Sequence, residues 1–171
     1  MPQASIRSSE HRRTGSDWIA RSTIAISVVL FLISLTQDGF YIDRAENPRA
    51  WASCIGLLLI GWIAVLGGVS AWLANPALAI TWVLMLFQRL RLLALVIGAI
   101  SLLFALSFLN VRQIMADESG NESKITGYGA GYWIWVTSIG VTAVGCFAAW
   151  VADLVQARCQ DAANASSSET K

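Results

Sequence analysis

The sequence predicts an all-α membrane protein with four transmembrane helices and one additional, half-length apolar helix. Hydrophobic residues make up 56% of the 171 residues and charged residues only 13%, whereas soluble domains carry about a quarter charged residues. The apolar residues are also gathered in long blocks, and a helix of about 20 apolar residues crosses a hydrocarbon core of roughly 30 Å. Because the linkers between the blocks are short, we expect one domain, residues 17–156.

The positions of the blocks predict transmembrane helices over residues 18–37, 51–73, 90–110 and 132–155. Trp18 opens the first span at interface depth, and Arg21 lies one turn further in, from where its side chain can reach the lipid headgroups. The first apolar run is longer than the core of a signal peptide and ends without a small-x-small cleavage pattern. It is therefore expected to remain as an anchor.

The second predicted span is rich in small residues. Ala64 with Gly68, and Gly67 with Ala71, form small-xxx-small pairs, which let helix backbones approach closely in lipid. We expect this face to pack against other helices, either within the chain, in another membrane protein or in a second copy. A pore lining is the alternative interpretation of these glycines.

A shorter apolar helix is predicted over residues 76–87. Asn75 is a good N-cap and Pro76 suits the first helical position. Twelve residues at about 1.5 Å each are too short to cross a bilayer. The helix is apolar all round, so we expect it to enter one leaflet or to pack against the bundle, on the cytoplasmic side.

Two arginines, Arg89 and Arg91, interrupt the apolar sequence directly after this helix. Because fixed charges are costly in hydrocarbon, we expect both at a membrane surface, as anchors of the third span. Binding of an anionic lipid headgroup or of a partner's carboxylate is the alternative role.

Glycines and aromatic residues precede the last span. Gly127, Tyr128, Gly129, Gly131 and Tyr132 lie at the end of the second polar loop. We favour a glycine turn that leads into the helix, and the alternative is an exposed backbone that contacts a ligand or partner. The polar segments 1–16 and 157–171 are expected to be disordered.

The basic residues predict the orientation. Two thirds of the twelve Lys and Arg residues lie in segments that fall on the same side as the N-terminus. The positive-inside rule therefore predicts that both termini are cytoplasmic and that both polar loops lie outside.

Several function classes find no support in the residues. The single histidine, His11, lies in the polar N-terminal segment, which excludes a His-paired haem, a His-based zinc site and a Ser-His-Asp triad. The three cysteines lack metal-binding spacing, and no basic stripe with aromatic residues suggests nucleic-acid binding. We expect no cofactor and no metal.

Two strings, Ala71–Pro76 (AWLANP) and Ile125–Trp133 (ITGYGAGYW), resemble those of small four-span inner-membrane proteins of bacteria that carry no assigned activity. The resemblance covers about residues 20–155. It implies a location in the bacterial cytoplasmic membrane and supplies no catalytic residues.

These observations favour a non-enzymatic accessory or interaction subunit whose partners are the lipid bilayer and another membrane protein or a second copy. The alternative is a small transporter or channel for an unidentified solute. A membrane enzyme ranks third, because only Asp38, Tyr41, Asp43 and Tyr128 are available as a polar cluster on the outer side.

Overall fold

Helices make up most of the described chain. The computed structural model describes residues 3–43, 53–115 and 122–168. The α-helices in these ranges are α1 (Gln3–Leu35), α2 (Cys54–Ile60), α3 (Trp62–Leu66), α4 (Ala74–Met85), α5 (Arg91–Ser107) and α6 (Ala130–Ser168). Three short 3₁₀ segments, Ser70–Leu73, Gln88–Leu90 and Phe108–Asn110, flank α4 and α5. The predicted helical fold class is confirmed.

In the part of the chain that the structure describes, three helical stretches are long and apolar enough to cross a membrane: Gly15–Leu35, Gln88–Asn110 and Ala130–Ala165. They correspond to the predicted spans 18–37, 90–110 and 132–155. A helix suits these sequences because it satisfies every backbone N–H and C=O within the segment, where lipid offers no partner.

The second predicted span, residues 51–73, is not one continuous helix. Within it, α2 and α3 are short, and the helical path ends at Gly67 and Gly68. Gly68 has φ of +90°, a conformation that favours glycine, so the glycine pair ends the helix. Gly67 and Gly68, which the sequence suggested for close helix packing, therefore form a turn, whereas Ala64 lies in α3 and Ala71 is buried in the 3₁₀ segment that follows.

The apolar helix expected over residues 76–87 begins earlier, because the 3₁₀ segment Ser70–Leu73 continues directly into α4. It packs against the bundle, which was one of the two predicted placements. Ser101 Oγ of α5 donates to the carbonyl of Ala74 at 2.9 Å, and Met85 shares a buried cluster with Ala94. These contacts show that α4 and α5 run antiparallel.

The bundle alternates in direction. α1 and α6 make the most extensive contact, with Ala20 beside Ala149 and Ser27 beside Thr142, so these two helices are antiparallel. α6 also runs antiparallel to α5, since Tyr132 contacts Ala105 at one end. We refer to the end of the bundle around Arg91 as the arginine end and to the end around Tyr132 as the sheet end.

A three-stranded antiparallel sheet lies at the sheet end, in segments that the sequence suggested were loops. Its strands are β1 (Phe40–Ile42), β2 (Gln113–Met115) and β3 (Glu122–Tyr128), in the order β1-β3-β2. Phe40 pairs with Tyr128, and Gln113 pairs with Lys124. The sheet joins the segment after α1 to the segment between α5 and α6.

The terminal segments differ from the predicted disorder. α1 begins at Gln3 and α6 extends to Ser168, so both bundle helices continue past their apolar parts. Neither extension contains proline, and adding residues to an existing helix avoids the cost of nucleation.

Candidate functional site

Arg91 is the largest fully buried side chain in the described part of the molecule, with 1% of its surface exposed. It lies at the start of α5 between α1 and α6. Its Nη1 donates to both carboxylate oxygens of Asp153 at 2.8 Å, and its Nη2 donates to Asp17 Oδ1 at 2.5 Å. The guanidinium thus connects three helices of the bundle.

The planar guanidinium fits this position because it presents several donors in a fixed fork, which a lysine cannot do. One positive charge faces two negative charges, and the Asp17 and Asp153 side chains stay 41% and 24% exposed. The carboxylates therefore keep contact with solvent while the arginine is enclosed. Its Nε is buried and has no partner among the described residues.

Arg91 is not available as a surface anchor for lipid headgroups, as the sequence suggested, because its side chain is enclosed and paired. Ala20, Ala94 and Ala149 lie three or four positions from Asp17, Arg91 and Asp153 on the same helices. They belong to one buried cluster, and their small side chains let the three helices approach closely. Arg89 and Arg21 are exposed, so both stay free to reach headgroups.

A second polar cluster lies further along the bundle. Thr142 Oγ1 donates to Ser27 Oγ at 2.7 Å, and Ser27 Oγ donates to the carbonyl of Ser138 at 2.9 Å. The indole Nε1 of Trp82 contacts both hydroxyl oxygens, at 3.1 and 3.3 Å. This cluster joins α1, α4 and α6 inside the bundle. Its polar groups, which lie between the arginine end and the sheet end, are hydrogen-bonded to one another.

The glycines before the last helix are sites of close backbone contact rather than an open loop. Gly129 N–H donates to the carbonyl of Gly39 at 2.8 Å, and Gly131 N–H donates to the carbonyl of Asp38 at 2.9 Å. A Cβ at Gly129 would overlap the Asp38 carbonyl, and a Cβ at Gly131 would lie 2.6 Å from Cys54 Sγ. Glycine is required here because the two chain segments touch.

The tyrosines of the same run belong to an aromatic cluster at the sheet end. Phe108 packs against Phe40, Tyr128 and Tyr132 with ring centroids 5.4 to 5.9 Å apart. The Tyr132 hydroxyl donates to the carbonyl of Ala105 at 3.1 Å. Gly127 lies in β3 opposite Tyr41.

Of the four outer residues considered for a membrane enzyme, Asp43 and Tyr128 are directed to backbone partners. Asp43 Oδ1 accepts from the backbone N–H of Lys124, and the Tyr128 hydroxyl faces the carbonyls of Phe108 and Leu109. Tyr41 is exposed. In the described ranges, the His, Cys, Asp and Glu side chains form no group of three that could hold a metal ion.

The sheet end also contains an apolar cavity of about 100 Å³. It lies between the bundle and a roof, which we define as α2, α3 and the turn to Leu73 (residues 54–73). Bundle and sheet residues on its wall include Phe31, Phe40, Phe108, Ile114, Tyr132 and Trp135. Roof residues on its wall include Leu57, Leu58, Ala64, Val69 and Trp72.

Polar atoms on this wall are directed to partners. Ser34 Oγ donates to the carbonyl of Phe31 at 2.6 Å, and Trp72 Nε1 donates to the carbonyl of Leu58 at 3.0 Å. Trp135 Nε1 donates to Asn75 Oδ1 at 3.0 Å. The cavity consequently presents a hydrocarbon surface.

Cys54, which also lines the cavity, is outside the three candidate spans. Burial and the negative charge of Asp38 raise the pKa of its thiol from 9.0 to about 11. The thiol is thus protonated at neutral pH and is a poor nucleophile.

The sequence contained one signal for the Arg91 cluster. Asp17 and Asp153 lie at the ends of the first and fourth predicted spans, and Arg91 lies at the start of the third, all at one predicted depth. Opposite charges at one depth of a bundle are candidates for pairing. The cavity had no such signal, because its roof was predicted to be part of a span.

Family models, curated proteins and solved structures were compared with the chain, and none matches.

Proposed function

We propose that this protein is a non-enzymatic accessory or interaction subunit of a bacterial inner membrane. The proposal rests on one contrast: the polar groups inside the bundle are bonded to one another, whereas the apolar side chains of the roof are exposed. Arg91 is bound by two carboxylates and the Ser27–Thr142–Trp82 cluster is bonded to itself. The roof, in comparison, contributes helices α2 and α3 without a single buried residue.

We further propose four membrane crossings with both termini in the cytoplasm. Ser70–Met85 is a 16-residue apolar helix that lies antiparallel to α5, and it would serve as the second crossing. About 24 Å of helix, at 1.5 Å per residue, spans most of the hydrocarbon core. The proposed number of crossings is then four, as the sequence predicted. The second crossing is formed by residues 70–85 instead of residues 51–73.

The exposed roof residues are the surface that we propose for contact with another membrane protein or a second copy. Leu66 is 82% exposed and Leu59 is 68% exposed, and the roof carries no charged residue. Few contacts fix α2 and α3 to the bundle, so a partner would gain apolar contact there without displacing packed side chains.

Photo-crosslinking in native membranes tests this proposal. A photoreactive residue at Leu66 should give a protein adduct, and the same residue at Leu103 should not. Leu103 is the matched control because it is 67% exposed but lies on α5. Equal adducts at both positions, or none at either with folded protein, would contradict an interaction surface on the roof.

The alternative, a transporter or channel, requires a path through the bundle. The bonded cluster of Ser27, Thr142 and Trp82 lies across that interior and argues against an open path. Substitutions at Gly129 or Gly131 are unsuitable tests of flux, because they would disturb the contact with Asp38. Solute flux in liposomes that is lost on Thr142→Val would favour the alternative.

A further inference from the structure

We propose that the apolar cavity under the roof binds the end of a hydrocarbon chain, from a membrane lipid or a free fatty acid. This inference goes beyond the interaction role and holds whether or not the roof contacts another protein. It requires that the bundle lies in a membrane and that the roof lies at a depth where lipid surrounds it.

The wall selects the ligand by its chemistry. Its surface is formed almost entirely by carbon atoms, since the hydroxyl of Ser34 and the indole N–H groups of Trp72 and Trp135 are bonded to protein acceptors. A polar solute would lose its hydrogen bonds to water on entry and gain none in return. A methylene chain has no hydrogen bonds to lose, and it exchanges contacts with neighbouring acyl chains for dispersion contacts with aromatic and aliphatic side chains.

The size of the cavity selects a chain end rather than a headgroup. Its volume is about 100 Å³, and an engineered apolar cavity of about 150 Å³ in another protein accepts benzene. The space therefore suits a few methylene groups. The rest of the chain and the headgroup would stay in the bilayer outside.

The roof provides the entry route. Its helical part ends at Gly67 and Gly68, where the +90° φ of Gly68 marks a glycine-dependent turn. One side-chain hydrogen bond, from Trp72 to the carbonyl of Leu58, ties its two halves together. Outward-facing side chains of the roof, Leu59, Ile63 and Leu66, are more than half exposed, so the roof presents an apolar outer surface that acyl chains can contact.

Photolabelling of the full chain in nanodiscs tests the proposal. The probe is a phosphatidylglycerol whose acyl chain carries a diazirine at its terminal carbon. We expect adducts on cavity residues such as Leu57 and Phe40 at least threefold above those on Leu103, which faces outward on α5. Adducts that follow exposure alone, with no excess in the cavity, would overturn the proposal.

A cavity-filling variant supplies the matched comparison. Ala64→Phe places a ring in the cavity and should reduce the cavity adducts about tenfold. Ala148→Phe adds the same ring on an exposed position of α6 and should leave them unchanged. If Ala64→Phe does not fold, Leu57→Trp is the second filling variant, and unchanged adducts in a folded filling variant would contradict the assignment.

Competition identifies the source of the chain. Excess palmitate should reduce the cavity adducts if free fatty acid binds as well as lipid, whereas glycerol phosphate should have no effect in either case. Competition by glycerol phosphate would show recognition of a headgroup and would refute a hydrocarbon site.

Discussion

At the scale of single residues, whether a charged side chain is exposed or buried depends on partners that are distant in the sequence. Arg89 and Arg91 are two positions apart, and the sequence treats them alike. In the structure Arg89 is exposed, whereas Arg91 is enclosed and bonded to Asp17 and Asp153, which lie 74 and 62 positions away. The residues next to Arg91 in the sequence do not show that two distant carboxylates pair with it. Its burial therefore could not be predicted from those residues.

Replacing Arg91 should destabilise the bundle, and replacing Arg89 should not. Arg91→Ala removes the contact among three helices and leaves two carboxylates facing each other. Because Asp17 and Asp153 keep some contact with solvent, we expect a loss of about 2 kcal/mol, below the 3–5 typical of fully buried pairs. Arg89→Ala is the matched control and should change stability by less than about 0.5 kcal/mol.

Heating in the presence of a thiol-reactive dye measures this difference. Cys146 is fully buried close to Arg91, so its labelling reports opening of the arginine end. The exposed Cys159 and the half-buried Cys54 are replaced by serine in every variant, so Cys146 is the one natural cysteine that remains. Arg91→Ala should lower the labelling midpoint by roughly 5 °C, and equal midpoints for the two arginine variants would refute a stabilising role for the ion pairs.

At the scale of elements, a glycine can end a helix or can let two helices pack closely, and hydropathy does not distinguish these roles. Gly67 and Gly68 end a helix, although their spacing to neighbouring small residues is also typical of helix packing. Gly145 in α6 is a packing glycine, because a Cβ there would overlap the Thr23 side chain of α1. Gly140 in the same helix has no atom near its Cβ position. The backbone conformation and the neighbouring helix distinguish these cases: a helix end at Gly67 and Gly68, a packing contact at Gly145 and open space at Gly140.

Alanine at Gly145 and at Gly140 should consequently have opposite effects. Gly145→Ala forces α1 and α6 apart, and overpacking of this kind costs about 1–3 kcal/mol. Gly140→Ala meets no atom and should be neutral or stabilise the helix by up to about 1 kcal/mol. The midpoint of Cys146 labelling on heating compares them, and a stabilised Gly145→Ala protein would show that the α1–α6 contact is looser than described.

At the scale of the whole molecule, the long helices could be predicted and the packing of the ends could not. Apolar length alone locates α1, α5 and α6, because lipid requires each crossing to satisfy its own backbone. The sheet depends instead on pairing between Phe40 and Tyr128, which are far apart in the chain and lie in polar segments. The cavity depends on the direction that the chain takes after α3, and Gly67 and Gly68 form that turn.

The orientation of the molecule gives the last prediction. If both termini are in the cytoplasm, as proposed, the arginine end lies on the cytoplasmic side and the sheet end lies outside. In cells treated with a membrane-impermeant maleimide, cysteine at position 89 (Arg89→Cys) should be labelled only after permeabilisation. Cysteine at position 124 (Lys124→Cys), on an exposed side chain of β3, should be labelled directly.

The natural Cys159 provides an internal control, because it is exposed on the extension of α6 beyond the arginine end. In a protein whose Cys54 is replaced by serine, it should behave like position 89, and both Cys54 and Cys159 are replaced by serine in the two variants with a new cysteine. Direct labelling of Cys159 and of position 89, with protection of position 124, would reverse the orientation. Asp17, Arg91 and Asp153 would then face the outside, and the cavity would open toward the cytoplasmic leaflet, so this measurement also decides which leaflet supplies the proposed hydrocarbon chain.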